Sequence, residues 1–517
     1  MLSFPWGQAR VDLASDGSVA VLLPARGPDV LITGGLLVRV GDGAPVLPGP
    51  PEVRSDADEV ELAWAGDHLA VVIRHTFAAG WGLRVALSNP GNETTRLDDA
   101  LLSWRVPDGY PAWALAAGAV GSYAVLPPTG TGPLLGGVLR VGALPAVDAA
   151  GLHLGPVVLP PGGRYVVQWQ WDVHPGPRSL GRGRHLEVPR RLNVGVGEVV
   201  TVDADEDEAL VLAAGLESER TRGRLELSAG TPGRYPVEVR SARGTVGYEL
   251  RVAASLEEVL ALRAFAALEQ PRTAAGVVRL ADIDAALAVQ HALATAALSD
   301  AELAEEALDL FTARLPEDAL DARTVGYLGG EHARTAEPGL LERATRTVLA
   351  AGAPQPALGL AATRLSLALL LAGEPVAPVL AHLAGLAIAA DQEPFAEPLS
   401  VQAALLELEI VTTTRGEPAH PGPDRVAARV AAVGGWLGAG LTGRSVRPLP
   451  LDRLAHLSAV LALLPEPAAA LHRGRWGCTA HELARRGRAE VLDRIGWSRD
   501  PAAGPAVSYL LLGLRPD

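Results

Sequence analysis

The chain has 517 residues and a net charge of −14 at neutral pH. That length implies roughly two to four domains, and that charge disfavours nucleic acid or an anionic membrane as the main partner. All 45 basic residues are arginine, which excludes a Schiff-base lysine, a pyridoxal phosphate anchor and a phosphate-loop lysine. The lone cysteine, Cys478, excludes an internal disulfide and multi-cysteine zinc or iron–sulfur sites.

Taken in chain order, the stretch from Met1 to Val19 lacks a basic region followed by an apolar core. No later segment approaches about eighteen uninterrupted apolar residues, so a cytoplasmic protein is expected. Richness in Ala, Gly, Arg, Leu and Val reads as the coding bias of a GC-rich bacterial genome. Residues 1–175 alternate in short runs between Gly, Pro, Asn and Asp, the pattern of antiparallel strands. In Val167-Gln168-Trp169-Gln170-Trp171-Asp172-Val173 the odd positions put two Val and two Trp on one face, with Gln168, Gln170 and Asp172 on the other. Residues 176–191, rich in Pro and Arg, read as a linker, and 192–254 as a small second β-sandwich. Its acidic run, Asp203 to Glu208, lacks the central glycine and distal glutamate of an EF-hand loop and reads as a solvated turn.

Near Leu256 the period changes from two to about 3.6, and residues 255–517 read as an array of antiparallel α-hairpins. Several, such as Ala357 to Ala372, are apolar nearly all round and need neighbours on both sides. A closed toroid, an incomplete one or an open solenoid each provides that. The expected fold class is thus β then α: an amino-terminal sandwich, a small second sandwich and a helical array.

Three segments carry a resemblance. Trp81 to Leu102, WGLRVALSNPGNETTRLDDALL, is similar to a supersandwich strand, an Asn-rich turn and a second strand. Leu159 to Trp169, LPPGGRYVVQW, resembles the Pro-Gly turn and returning strand that closes such a sandwich. Tyr327 to Leu341, YLGGEHARTAEPGLL, is similar to a loop between toroid helices. With the domain order, these resemble carbohydrate-active enzymes that join a β-supersandwich to an (α/α) toroid. The resemblance implies a glycan or oligosaccharide bound between sandwich and helices by a glycoside hydrolase-like protein or its inactive relative. The helical half is shorter than such toroids usually are. The alternative is a non-enzymatic scaffold whose helical solenoid grips a protein partner.

A glycosidase needs two carboxyl groups, about 6.5–9.5 Å apart for inversion and about 5–5.5 Å for retention. The candidates are acids at expected helix–helix junctions: Glu331, after Gly329-Gly330, and Asp391, Glu393 and Glu397 in a loop-like segment between two apolar helices. Such acids equally suit solvated helix ends. Trp104, Tyr110 and Trp113 are candidate surface rings for stacking on sugar, and Gln290 and His291 candidates to line a polar cavity. A tryptophan in a sandwich core and a satisfied core histidine are the plainer readings. Asp282 and Asp284 read as a cap and a first-turn acid. The twelve histidines show no HExxH and no ligand spacing, so neither metal nor cofactor is expected. Cys478 and His481 share a helix face without a third group to orient them. Gly438-Ala439-Gly440-Leu441-Thr442-Gly443 matches GxGxxG but does not open a βαβ unit. Oligomeric state is left open.

Overall fold

The computed structural model describes the chain except residues 24–29, 40–49, 79, 181–187, 204–209, 222, 242–243, 271–275, 277, 318–320, 391–398, 415–422, 497–499 and 515–517. Strands dominate up to Ala253 and helices thereafter, and the buried apolar residues fall into three clusters. The fold is therefore the β-then-α arrangement expected from the change of period.

The first cluster lies between a seven-stranded and a nine-stranded sheet. Alternation in Arg164–His174 places Trp169 and Trp171 in that core, where Trp81 stacks 5.4 Å from Trp171 and Trp104 meets it edge-on at 5.5 Å. Two of the segments similar to supersandwich text meet at Asn89. Its side chain donates to the carbonyls of Glu93 and Leu159 and accepts from Gly91 N–H, while Asn89 N–H donates to Gly163. The turn after Trp81–Ser88 is thereby fixed to the start of the returning strand. The small second sandwich pairs Gly233–Ser241 with Gly244–Ala253 and faces them with Val200–Asp203, Arg224–Ser228 and Glu217–Thr221.

Local chemistry starts the helices. Ser255 with Glu258 and Thr479 with Glu482 form capping boxes, and Asp282, Asp300 and Asp321 accept first-turn amides. Alternate helices form an inner ring: Ile283–Ala294, Ala322–Thr335, Leu358–Ala372, Leu399–Thr414, Leu451–Leu463 and Gly504–Leu512. Each packs on the next and the last returns to the first. The ring is closed rather than an open superhelix, and the remaining long helices lie outside it. Glycines permit the closure. A Cβ on Gly326 would stand 2.3 Å from Leu512, and one on Gly513 would stand 2.5 Å from Ala459. No single described helix is long and apolar enough to cross a membrane.

The GxGxxG segment turns out to be a strap between sandwich and helices. Gly438, Gly440 and Gly443 all have positive φ, and a Cβ on Gly443 would lie 2.1 Å from the Ala114 carbonyl oxygen. The strap lets Arg444–Ser445 pair with Trp113 and Ala114 as the last strand of the nine-stranded sheet. Arg486 clamps it, donating to the carbonyls of Leu441 and Gly443 with its guanidinium 4.3 Å over the Trp113 ring. Burial lowers the Arg486 pKa to about 10, so it remains charged at neutral pH. Replacing Arg486 by methionine keeps the aliphatic volume but strands two buried carbonyls. A loss of about 2–4 kcal/mol in urea unfolding is expected, and a change under about 0.5 kcal/mol, the scale of an exposed site, would show that the clamp is not needed.

Candidate functional site

On the nine-stranded sheet the face turned away from the sandwich core is polar. Gln168, Gln170, Asp172 and His174 alternate with the buried tryptophans of Arg164–His174. Their cross-strand partners on this face are Arg84 opposite Gln168, Gly82 and Val138 opposite Gln170, and Gly136 opposite Asp172. Two glycines make the room. A Cβ on Gly136 would stand 2.8 Å from the His174 ring, and one on Gly80 would stand 2.7 Å from the Asp172 carboxylate.

Where this face meets the helical half it forms a pocket of about 210 Å³. Asp172 and His174 come from one strand, Arg140 from its neighbour, Ser122 from the strand beyond that, Trp113 from the strand beside the strap, and Thr442 from the strap itself. Asp172 and His174, two residues apart on the same face, are separated by about 6.7 Å along the strand. Neither they nor Arg140 make a hydrogen bond or ion pair among the described residues, and the buried Trp113 indole N–H is also without a partner there. Burial pushes the Asp172 carboxyl above the ordinary carboxylate range, against the pull of His174 and Arg140. Burial pushes the His174 imidazole below its ordinary value, against the pull of Asp172. The environment thus favours a protonated carboxyl beside a neutral imidazole, the separation of roles expected of an acid and a base. No group of three or more metal-ligating side chains occurs among the described residues.

Of the catalytic and sugar-binding candidates named from sequence, Trp113 alone lines this pocket, and at 3% exposed it is a buried ring and not a surface one. Trp104 and Tyr110 are not surface rings. They are 2% and 5% exposed inside the sandwich, because Trp104 completes the tryptophan cluster. Glu331 is not at a helix junction. The segment read as a loop continues helix Ala322–Thr335 through both glycines, and Gly330 is small because Gln290 packs on it. Glu331 and Gln290 do come together, with Gln290 Nε2 donating to Glu331 at 2.6 Å. Arg334 takes the other carboxylate oxygen at 2.6 Å and also pairs with Asp309. Fully buried and ion-paired, Glu331 braces two helices and does not face a ligand. His291 is half-buried, and desolvation lowers its pKa. Asp391, Glu393 and Glu397 lie outside the described residues.

Asp282 is the expected cap, but Asp284 is more than a first-turn acid, since it receives both Arg323 contacts at 2.9 Å and the Ser508 hydroxyl at 2.7 Å. Burial pushes the Cys478 thiol up to about 12, and His481 has partners of its own, donating from Nε2 to the Leu464 carbonyl and lying 3.3 Å from Glu466. They form no nucleophilic pair. Sequence reading missed a second polar cluster, between the inner helices. Glu407 accepts the amides of Ala357, Gly359 and Leu360 at 3.0, 2.9 and 3.1 Å and contacts His456, whose ring lies 5.6 Å from Tyr509. Both side chains are fully buried, so they hold the ring together and do not reach a ligand.

No protein-family model matches the sequence, and no curated protein matches it significantly. Among solved structures, a polysaccharide lyase superposes over 93% of this chain and 92% of its own, with a TM-score of 0.69 and 11% identity. The periplasmic domain of YidC from Thermotoga maritima aligns with 35% of this chain at 14% identity, and its TM-score of 0.22 carries no structural argument. The chain therefore shares its architecture, from first sandwich through helical ring, with that lyase, and the likeness is one of fold.

Proposed function

We propose that the protein is carbohydrate-active and takes an acidic sugar into the pocket between sandwich and helices, where it breaks a glycosidic linkage by β-elimination. The observation that carries this reading is the unpartnered trio of Asp172, His174 and Arg140 in that pocket, on a fold shared along its length with a polysaccharide lyase. Elimination needs a base for the proton on the carbon next to a carboxylate, a cation for that carboxylate and an acid for the departing oxygen. Neutral His174 takes the proton, and the C–H electron pair becomes a C=C bond. The C–O bond at the next carbon breaks, and its oxygen takes the proton of Asp172. Arg140 holds the carboxylate while charge builds on it. Asp172 is the only carboxylate among the described residues lining the pocket, which favours elimination over a hydrolysis that requires two.

The test is to mix the protein with uronate-containing oligosaccharides and follow the ultraviolet absorbance of the unsaturated product. Turnover is expected with acidic chains and not with neutral ones. Activity requires His174 deprotonated and Asp172 protonated, so it should rise as pH climbs past the lowered histidine value and fall past the raised carboxylate value. The two limbs of the profile are therefore set by the lowered histidine and the raised carboxyl. Silence across the acidic panel, or release of saturated reducing ends in place of unsaturated ones, would refute elimination.

A further inference from the structure

A second, larger cleft of about 790 Å³ opens where the three parts of the chain meet. The sandwich contributes its edge strand Ala112–Ala117, the helical half contributes the strap at Arg444 and Ser445, and the small sandwich contributes Gly233–Ser241 and Gly244–Ala253. None of the residues lining it lines the pocket of Asp172 and His174 except Leu115.

In a chain of net charge −14 this cleft gathers three guanidinium groups, from Arg234, Arg251 and Arg444. Arg251 is committed to Glu249 at 2.8 Å and Asp493 at 3.1 Å. Arg444 is not. It reaches Glu249 only at 3.6 Å, and its Nε–H is buried without a partner. Arg234 is exposed and makes no hydrogen bond or ion pair among the described residues. Of the two acids in the lining, Glu249 serves Arg251, and Glu238 is held by Arg240. Unused donors therefore outnumber unused acceptors, and buried donors without partners cost stability until a ligand satisfies them. Leu212, which is 45% exposed, together with Pro145 and Pro236, supplies apolar wall between the donors.

We infer that this three-way cleft is a binding site for a carboxylate-bearing oligosaccharide, recognised by Arg234 and Arg444. An oxygen-rich anion satisfies the guanidinium donors, and the apolar wall accepts the C–H faces of sugar rings. The volume accommodates several residues where the smaller pocket takes one. That the anion is a carboxylate carried on a sugar rests on the functional reading above; that the ligand is an anion rests on the cleft alone. Binding here holds a polymer on the protein while another part of it is processed.

Titration calorimetry of the full chain against tetragalacturonate, galacturonate and maltotetraose tests this, in an Asp172→Asn, His174→Ala background that cannot turn substrate over. Tetragalacturonate is expected to bind, more weakly at high salt, and maltotetraose not to bind. Arg234→Ser and Arg444→Gln, which leave the backbone pairing of the strap in place, should together weaken binding about tenfold or more, the scale of a charge-assisted hydrogen bond. Unchanged affinity in that double variant, or no binding at all, overturns the inference, as does galacturonate binding as tightly as the tetramer. Weakened binding in these variants alongside wild-type protein that releases no unsaturated product would leave this site standing and remove the elimination reading instead.

Discussion

Replacing His174 with alanine is expected to lower turnover of an acidic glycan by about 10²–10⁴-fold, the usual contribution of a general base. The fold should hardly notice, because the ring is half-buried and makes no hydrogen bond among the described residues. Unfolding free energy should change by no more than about 1 kcal/mol. Asp172→Asn should slow the reaction for a different reason, since the amide keeps the shape but cannot give a proton to the leaving oxygen. A substrate with a good leaving group needs no such proton. Aryl uronides should therefore lose much less rate in Asp172→Asn than natural linkages do, while His174→Ala loses rate on both. Equal loss on both substrates in the two variants would reassign Asp172 from acid to positioning group, and full activity in His174→Ala would remove the base from this pocket altogether.

The largest expected stability effect lies inside the helical ring. Glu407→Ala strips the acceptor from three buried amides at the start of helix Leu358–Ala372 and from His456 on another helix. A cost of about 3–5 kcal/mol is expected, as for breaking one side of a buried polar pair. Loss below about 1 kcal/mol would mean that water or a shifted helix can take over. The same pair shapes stability against pH. Burial raises Glu407 to about 8 and lowers His456 to about 3, so the folded pair holds a single proton between those values. Between the ordinary values of 4.5 and 6.5 the unfolded chain also holds one proton on these two groups, and stability from the pair is level. Above 6.5 the unfolded chain has released it while the folded pair retains it, so stability falls until pH passes about 8. Below 4.5 the unfolded chain takes a second proton that the folded pair refuses until about 3, and stability falls again. Urea midpoints measured against pH should show a plateau with shoulders on both sides, and Glu407→Gln, with one titrating partner removed, should lose the alkaline shoulder.

Much of the fold is legible because periodicity reports burial directly. Val167 to Val173 shows which face carries Trp169 and Trp171, and the structure puts both in the core. The candidate site is less legible, because Asp172, Arg140, Trp113 and Thr442 stand on four separated pieces of chain that only sheet pairing and the strap bring together. A search for paired carboxylates at helix ends cannot find one acid opposite a histidine on a strand. Glu331 misled because two glycines before an acid look like a loop, whereas Gly330 accommodates the Gln290 side chain within a helix. Glu407 was hidden for the opposite reason. In Leu405-Leu406-Glu407-Leu408-Glu409-Ile410 an acid within an apolar run gives no sign that it caps a different helix.

The strap has a consequence for the order in which the chain can mature. Trp113 and Ala114 are synthesised early, yet their hydrogen-bonding partners are Arg444 and Ser445. Until most of the helical half has left the ribosome, the strand Ala112–Ala117 remains an open sheet edge, the feature most prone to pairing with a neighbouring chain. The nascent sandwich is therefore exposed to its wrong partners for nearly the whole of translation. A stall or truncation between Ala253 and the strap releases a sandwich with that edge bare, and such fragments are expected in the insoluble fraction even though every other strand is present.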